Sequence, residues 1–459
     1  MSARLSIQTL DQLPAAVARP DYDVAGLGVG ILHLGLGAFH RAHQGVFTED
    51  AIRAAGGDWG IAGVSLRRAD VPDALGPQDG LYTVEMLDEP PRYRVVGVLR
   101  RALAAASEAD EVLAAMAAPG VHIISLTVTE KAYRLDAAGA LDLAHPEIVH
   151  DLARPDRPQS AVGWLTAGLA RRREQRGAPV TVLSCDNLIG AGRKLEAAVL
   201  AVAARWDPAL AAWIEAEVAF PGTMVDCIVP ATSEARRARI EAALGLCDQA
   251  CVSREAFAQW VIEDRFAGPR PAWERAGAEL VADVASYERL KLHVLNAAHS
   301  ALAYLGLQHG HALVREAIAD PELSRFMDAL MAEEIGPALP DLPVADYWRK
   351  ARARFSNTRL DHRLEQVGED GSSKLAQRIF PLLIDNARAG RPTRRLASVV
   401  QAWLELAGQG RVRDPQGARL QAWAGAGGAR EEILNDPALF PDAFRNEPAV
   451  RRVLAGRTN

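Results

Sequence analysis

A chain of 459 residues with a net charge of −6 has room for two or three domains of roughly 100–200 residues each. That charge gives no hint of a nucleic-acid or anionic-membrane partner. Its 49% hydrophobic and 24% charged residues are ordinary for a soluble globular protein, and it has no run of about 18 apolar residues to span a bilayer.

The N-terminal MSARLSIQTLDQLPAAVARP lacks the continuous apolar core of a signal peptide, so a cytoplasmic protein is expected. VGILHL, residues 29–34, is a short apolar strand that ends in Gly35-Leu36-Gly37. AFHRAHQGVFTEDAIRAAGG then reads as one helix closed by two glycines. A strand leading through glycines into a helix is the context in which G-x-G-x-x-G binds a dinucleotide, although His40 replaces the third glycine. Gly35, Gly37, Phe39 and Arg41 are therefore the expected cofactor contacts. Arg41 could reach a phosphate, or it could be an exposed helix arginine. A second strand, residues 59–66, is followed by Arg67-Arg68-Ala69-Asp70. An acid in this region binds the ribose hydroxyls of NAD, whereas arginines suit the 2′-phosphate of NADP. Asp70 favours NAD.

Residues 81–98 read as a hairpin around Pro90 and Pro91. VHIISLTVT (121–129) and VTVLSCDNL (180–188) are apolar runs of the kind buried in a parallel sheet. Each ends in polar groups, Thr127 to Lys131 and Ser184 to Asn187, where α/β sheets place their ligands. The two clusters are expected to converge on one crevice, although Asp186-Asn187 is also a common turn pair. Further β-like runs at 224–230, 260–266 and 279–284 are expected to extend the same sheet. Cys247 and Cys251 have no second Cys or His pair nearby, which favours free thiols over a zinc site. Beyond about residue 285 the chain reads as helical almost throughout. The fold expected is α/β: a doubly wound, Rossmann-type dinucleotide-binding domain over 1–284, then a mostly α-helical substrate and catalytic domain over 285–459.

KLHVLNAAHSALAYLGL, 291–307, reads as a buried helix interrupted by polar side chains. At about 100° per residue, Lys291, His299 and Asn296 fall near 0°, 80° and 140°, on one broad face. These groups could snorkel or satisfy buried backbone. Catalysis suits them better. A desolvated lysine has its pKa lowered toward neutrality and becomes a usable general base. Asn296 could donate to a developing alkoxide, and His299 could hold a neighbouring hydroxyl.

The residues also carry a resemblance. GILHLGLGAFHRAHQ, SLTVTEKAY, VLSCDNL, FPGTMVDCIVP, QWVIEDRFAGPRPAWE, KLHVLNAAHSALAYLG and the later RFSN and DGSSKL resemble the polyol-specific long-chain dehydrogenases, the group containing mannitol 2-dehydrogenase and fructuronate reductase. The resemblance runs from about residue 20 to about 405 and implies a cleft between the two domains. It also implies metal-independent hydride transfer at C2 of a linear sugar derivative with NAD or NADP. By resemblance, Lys291 is the base and Asn296 and His299 are its partners. Asn187 helps polarise the substrate oxygen, Asp226 binds substrate, and Glu288 is linked to proton release. Lys374 matches the lysine after DGSS. TEKAY is similar to the TEKGY of fructuronate reductases, where mannitol enzymes tend to carry TEGGY. Gln366 stands where mannitol enzymes usually carry arginine, while GVSLRRAD and DGSSK look like mannitol dehydrogenases. The expected substrate is a sugar acid, D-fructuronate or D-mannonate, its carboxylate met by Lys131 or Lys374, with mannitol as the alternative. The residues after about 410 are shorter and more Gly-rich than the family pattern. A non-catalytic NAD-sensing protein and a lysine-based hydroxyacid dehydrogenase of another family are the competing readings. Lys291, Asn296 and His299 together argue against the first, and the long shared motifs against the second. A monomer or small homo-oligomer is expected.

Overall fold

The computed structural model describes residues 3–136 and 139–455. The chain divides into two compact units, Met1–Ala285 and Ser286–Asn459.

Six strands form the central sheet of the first unit: β1 (Val29–Leu34), β2 (Gly60–Ser65), β3 (Leu99–Ala104), β4 (Ile123–Leu126), β5 (Val180–Ser184) and β6 (Val218–Ala219). All pairings are parallel and the spatial order is β3-β2-β1-β4-β5-β6. The chain moves outward from β1 to β3 and then returns beside β1 as β4. That reversal between β1 and β4 is the switch point at which doubly wound sheets bind dinucleotides. Side chains of one strand alternate between faces. Leu32 and Leu34 accordingly join Ile124, Leu126 and Val182 in one apolar cluster. Ile31 joins Ile61, Leu99, Ile123 and Leu183 in another. With both faces buried, these strands read as continuous apolar runs.

The runs near 224–230, 260–266 and 279–284 do not extend this sheet. Thr223–Asp226, Gln259–Glu263 and Glu279–Val281 form a separate three-stranded sheet in which the first pair is antiparallel. The ladder stops at the two residues of β6 because Phe220-Pro221 follows, and proline has no N–H for a next pairing. Thr223 instead hangs from β5 by a side chain, its hydroxyl donating to the Ser184 carbonyl. The expected hairpin is present: Tyr82–Met86 pairs antiparallel with Arg92–Val96, and the Glu89–Pro90 bond is cis. It lies in a four-stranded sheet of its own with Val17–Ala18 and Val252–Arg254.

The helix expected after Gly37 is two helices, α1 (Ala38–Ala42) and α2 (Gln44–Ala55). His43 leaves the helical region at φ −117°, ψ −87°. Its Nε2 meets the Gln259 carbonyl at 3.0 Å, and its ring lies 5.6 Å from that of Trp260, so tertiary contacts set the break.

The second unit is helical. Its apolar core gathers around α4 (Ala297–Gln308), preceded by α3 (Ala285–Leu290) and by a π-helical turn, Lys291–Asn296. α5 (Val344–Phe355), α6 (Leu364–Gly368) and α7 (Gly371–Arg378) pack into the same core, as does the long helix Arg394–Gly408. The Gly-rich tail closes this core too: Phe440 and Phe444 lie 5.4 and 4.4 Å from the ring of Phe380. Among the described residues, no helix is long and apolar enough to cross a membrane.

Candidate active site

The dinucleotide loop leaves the carboxyl end of β1 beside the switch point. Gly35 has φ +98°, and a Cβ there would stand 2.1 Å from the Thr127 carbonyl oxygen. Only glycine fits such a position. Gly37 has a different reason. A Cβ on it would meet only the Gly35 oxygen, at 3.8 Å, so the chain itself does not forbid a side chain there. Open space against bare backbone suits the close approach of a phosphate. The residues present therefore fit a dinucleotide.

His33, an apparent flaw in an apolar strand, braces this loop. It is fully buried, with Nδ1 2.8 Å from Ser125 Oγ and Nε2 2.8 Å from Thr127 Oγ1. Thr127 Oγ1 donates to the Gly35 carbonyl at 2.9 Å. Burial lowers the His33 pKa to about 3, so the ring is neutral. His40, at the position of the missing third glycine, stacks on it at 3.5 Å and also has its pKa pushed down by burial. Reading the run for glycines alone missed this pair; the polar residue in the middle of VGILHL was the available signal.

Arg41 is not the exposed helix arginine that was one reading of it. It is buried, donates from Nη1 to the Ala250 carbonyl and from Nε to the Gly37 carbonyl, and lies 5.9 Å over the Tyr82 ring. The break at His43 is what makes α1 a short, packed turn rather than the start of an exposed helix. Phe39 stacks on His43 at 5.0 Å. Asp70 opens a helix, Asp70–Leu75, and pairs with Arg68 at 2.9 Å, both side chains being exposed. Arg67 stands 3.5 Å from Glu147.

The polar ends of β4 and β5 do converge. Tyr133 donates its hydroxyl to Asp186 Oδ2 at 2.7 Å, and the Val128 amide bonds the same carboxyl. Burial pushes the Asp186 pKa up to about 7, opposed by these donors, with the nearby Glu130 adding to the rise. Tyr133 was not singled out from the sequence, and Asp186 was read there only as part of the Ser184 to Asn187 cluster or of a turn pair. Their partnership spans 53 positions and has no local signature. Asn187, next along, is exposed, as are Glu130 and Lys131 on the short 3₁₀ turn Glu130–Tyr133. Asp226 is buried at the end of its strand.

In the second unit Lys291 begins the π turn and Asn296 ends it. The α-helical estimate of their separation needs revision. Five residues at about 100° each put two side chains near 140° apart. In a π turn, bonded i to i+5, five residues close roughly one turn, so the two project on nearly the same side. The Ala297 amide reaching back five residues to the Leu292 carbonyl shows this register. Glu288 and Lys291 are buried, at 7% and 8% exposure. His299 packs its ring 4.4 Å from Phe355 and 5.3 Å from His362. Burial first, then the His362, Arg378, Arg354 and Lys291 charges, hold its pKa well below the usual histidine range. Its buried Nε2 meets no hydrogen-bond partner among the described residues. Such an orphan costs about 1–3 kcal/mol unless something bonds it, and a ligand hydroxyl would. Lys374 donates from Nζ to the Val367 carbonyl at 3.1 Å, and Gln366 is exposed on α6. Among the described residues, no group of three or more His, Cys, Asp or Glu is placed to hold a metal, and all four cysteines are free thiols.

The strand order, the glycine loop at the switch point and the buried lysine turn define a Rossmann-domain oxidoreductase. The comparisons narrow the class. The family model for the mannitol dehydrogenase Rossmann domain matches residues 29–275, and that for the mannitol dehydrogenase C-terminal domain matches 283–448. The chain belongs to the mannitol dehydrogenase family. It is 42% identical to the D-mannonate oxidoreductase of Escherichia coli over 84% of this chain and 82% of that one. It is 38% identical to the mannitol 2-dehydrogenase of Phaeosphaeria nodorum over 97% of this chain and 81% of that one. Among solved structures, the Pseudomonas fluorescens mannitol 2-dehydrogenase, in a ternary complex with NAD and D-mannitol, superimposes with a TM-score of 0.90. It shares 35% identity, with coverage of 99% and 96% of the two chains.

Proposed function

We propose that the protein is an NAD-dependent dehydrogenase acting at C2 of a linear sugar acid, interconverting D-mannonate and D-fructuronate. The observation that carries the chemistry is the unpaired, buried Nε2 of His299 on the same run of helix as the buried Lys291. When bound at the Gly35–Gly37 loop, NAD supplies the acceptor for the hydride leaving C2. Lys291 Nζ takes the proton of the C2 hydroxyl, and Glu288, one turn earlier, passes it on. Asn296 and Asn187 are proposed to donate to the C2 oxygen as it gains charge. His299 Nε2 bonds a neighbouring hydroxyl, and Asp226 accepts from another. Asp70 is the proposed acceptor for the adenosine ribose.

An acid is favoured over a neutral polyol by the charges around His299. Arg378 and Arg354 both act on it as cations. A substrate carboxylate needs such company, because a buried unpaired charge is prohibitive. Lys131, with Lys374 as the second candidate, is proposed to meet the carboxylate, and Gln366 is proposed as a further substrate contact. The similarity to mannitol 2-dehydrogenases and the GVSLRRAD and DGSSK motifs favour a second reading, D-mannitol and D-fructose.

The test compares kcat/KM for fructuronate and fructose, with NADH and with NADPH, in wild type and Lys131→Gly. Fructuronate with NADH should be the best pair, and Lys131→Gly should lower the fructuronate-to-fructose ratio about tenfold or more, the worth of one charged hydrogen bond. A wild-type preference for fructose establishes the mannitol reading instead. An unchanged ratio removes Lys131 from the carboxylate site.

A further inference from the structure

The residue at the end of α7 is joined twice to the π turn. His293 Nδ1, within the turn, lies 3.2 Å from the Arg378 carbonyl. In return Arg378 Nη1 donates to the Asn296 carbonyl at 3.2 Å and to Ser300 Oγ at 3.1 Å. One side-chain nitrogen thus spans the junction at which the i to i+5 register gives way to the α-helix, between the last π residue and the first turn of α4. π turns are less favourable than a continuous α-helix and persist where surrounding contacts hold them. The junction is where that holding is needed. Relaxation of the turn to α geometry would rotate Asn296 away from Lys291 by roughly a quarter turn or more.

We propose that Arg378 is a positioning residue: its guanidinium staples the π turn and so keeps Lys291 and Asn296 on one side of the helix. It acts through the Asn296 carbonyl and Ser300 rather than on the reacting atoms. The assignment rests on the reading of Lys291 as base and Asn296 as donor to the substrate oxygen. Misplacing such a pair by about 1 Å costs on the order of 10²-fold in rate.

The experiment measures steady-state kinetics, NADH affinity by fluorescence and melting temperature for Arg378→Ala, Arg378→Lys, Ser300→Ala and Lys291→Ala. Arg378→Ala should lower kcat by about 10- to 100-fold with NADH affinity unchanged. Millimolar guanidinium should recover part of that loss, as a merely destabilised fold would not allow. Ser300→Ala, which removes one of the two acceptors of Nη1, should lose only a few-fold, and Arg378→Lys should fall between. If Arg378→Ala does not fold, Ser300→Ala and Arg378→Lys carry the test on kcat alone. Wild-type kcat in these variants, or a loss that follows the folded fraction and ignores guanidinium, overturns the staple. Full activity in Lys291→Ala would instead sink the catalytic reading beneath it, whereas an inactive Lys291→Ala beside a fully active Arg378→Ala sinks the staple alone.

Discussion

Asp186 combines burial with a pKa near neutrality, and its protonation is coupled to folding. Its pKa is about 7 against a reference of 3.8, the rise coming from burial and limited by the Tyr133 hydroxyl and the Val128 amide. A carboxyl with a raised folded pKa binds its proton more tightly in the folded chain than in the unfolded one. Stability from this group is therefore full below about pH 4 and is lost as pH rises toward about 7. Asp186→Asn should flatten that part of the stability-versus-pH curve, by an amount on the order of a few kcal/mol, measured by urea unfolding at pH 5 and pH 8. Equal slopes in variant and wild type would show that the carboxyl titrates like an exposed one. Local reading reached Asp186 only as a member of a polar cluster and turn pair with Asn187, because what sets it apart is a tyrosine on another strand's exit.

Short glycine-bearing turns were the legible elements. Gly35 declares itself by type and place, and the structure supplies the reason in its φ of +98° and the 2.1 Å that would separate a Cβ from the Thr127 oxygen. Gly35→Ala should lower stability by a few kcal/mol and weaken NADH binding at least tenfold, read by thermal melting and fluorescence titration. Wild-type affinity in a folded Gly35→Ala would remove this loop from the dinucleotide site. Elements set by distant contacts were hidden. Nothing in KLHVLN distinguishes a π turn from an α turn, since no residue type demands one and the neighbours on α7 favour it. In the same way His43 breaks a sequence that is helical by propensity, held by Gln259 and Trp260. Periodicity identifies a helix; it does not count the residues per turn.

At the scale of the molecule the α/β order of the first unit and the helical second unit were both readable, because alternating buried strands and long amphipathic runs carry their own periods. Sheet membership was not. The segment after Pro221 has the composition of a further strand of the main sheet, yet it pairs elsewhere. The apolar clusters are assigned one set per unit, with Leu32 and Ile31 in clusters of the first and Leu302 and Trp403 in that of the second. Ligand that binds one folded unit raises its melting by mass action, about 2.7 kcal/mol at a hundredfold excess over Kd. Scanning calorimetry should then show saturating NADH raising the transition of the first unit by more than that of the second. An NADH effect confined to the second unit would contradict a cofactor site at Gly35–Gly37.

The two-residue β6 also has a consequence for the protein in a crowded solution. A parallel sheet ends in a row of unpaired backbone donors and acceptors, and a long bare margin invites another chain to add itself. One margin here is only Val218–Ala219, cut short by Phe220-Pro221. The other, β3, carries Arg100 and Arg101, whose charges disfavour strand addition from a second copy. The sheet that presents the dinucleotide loop is thereby guarded at both sides against fibrous self-association.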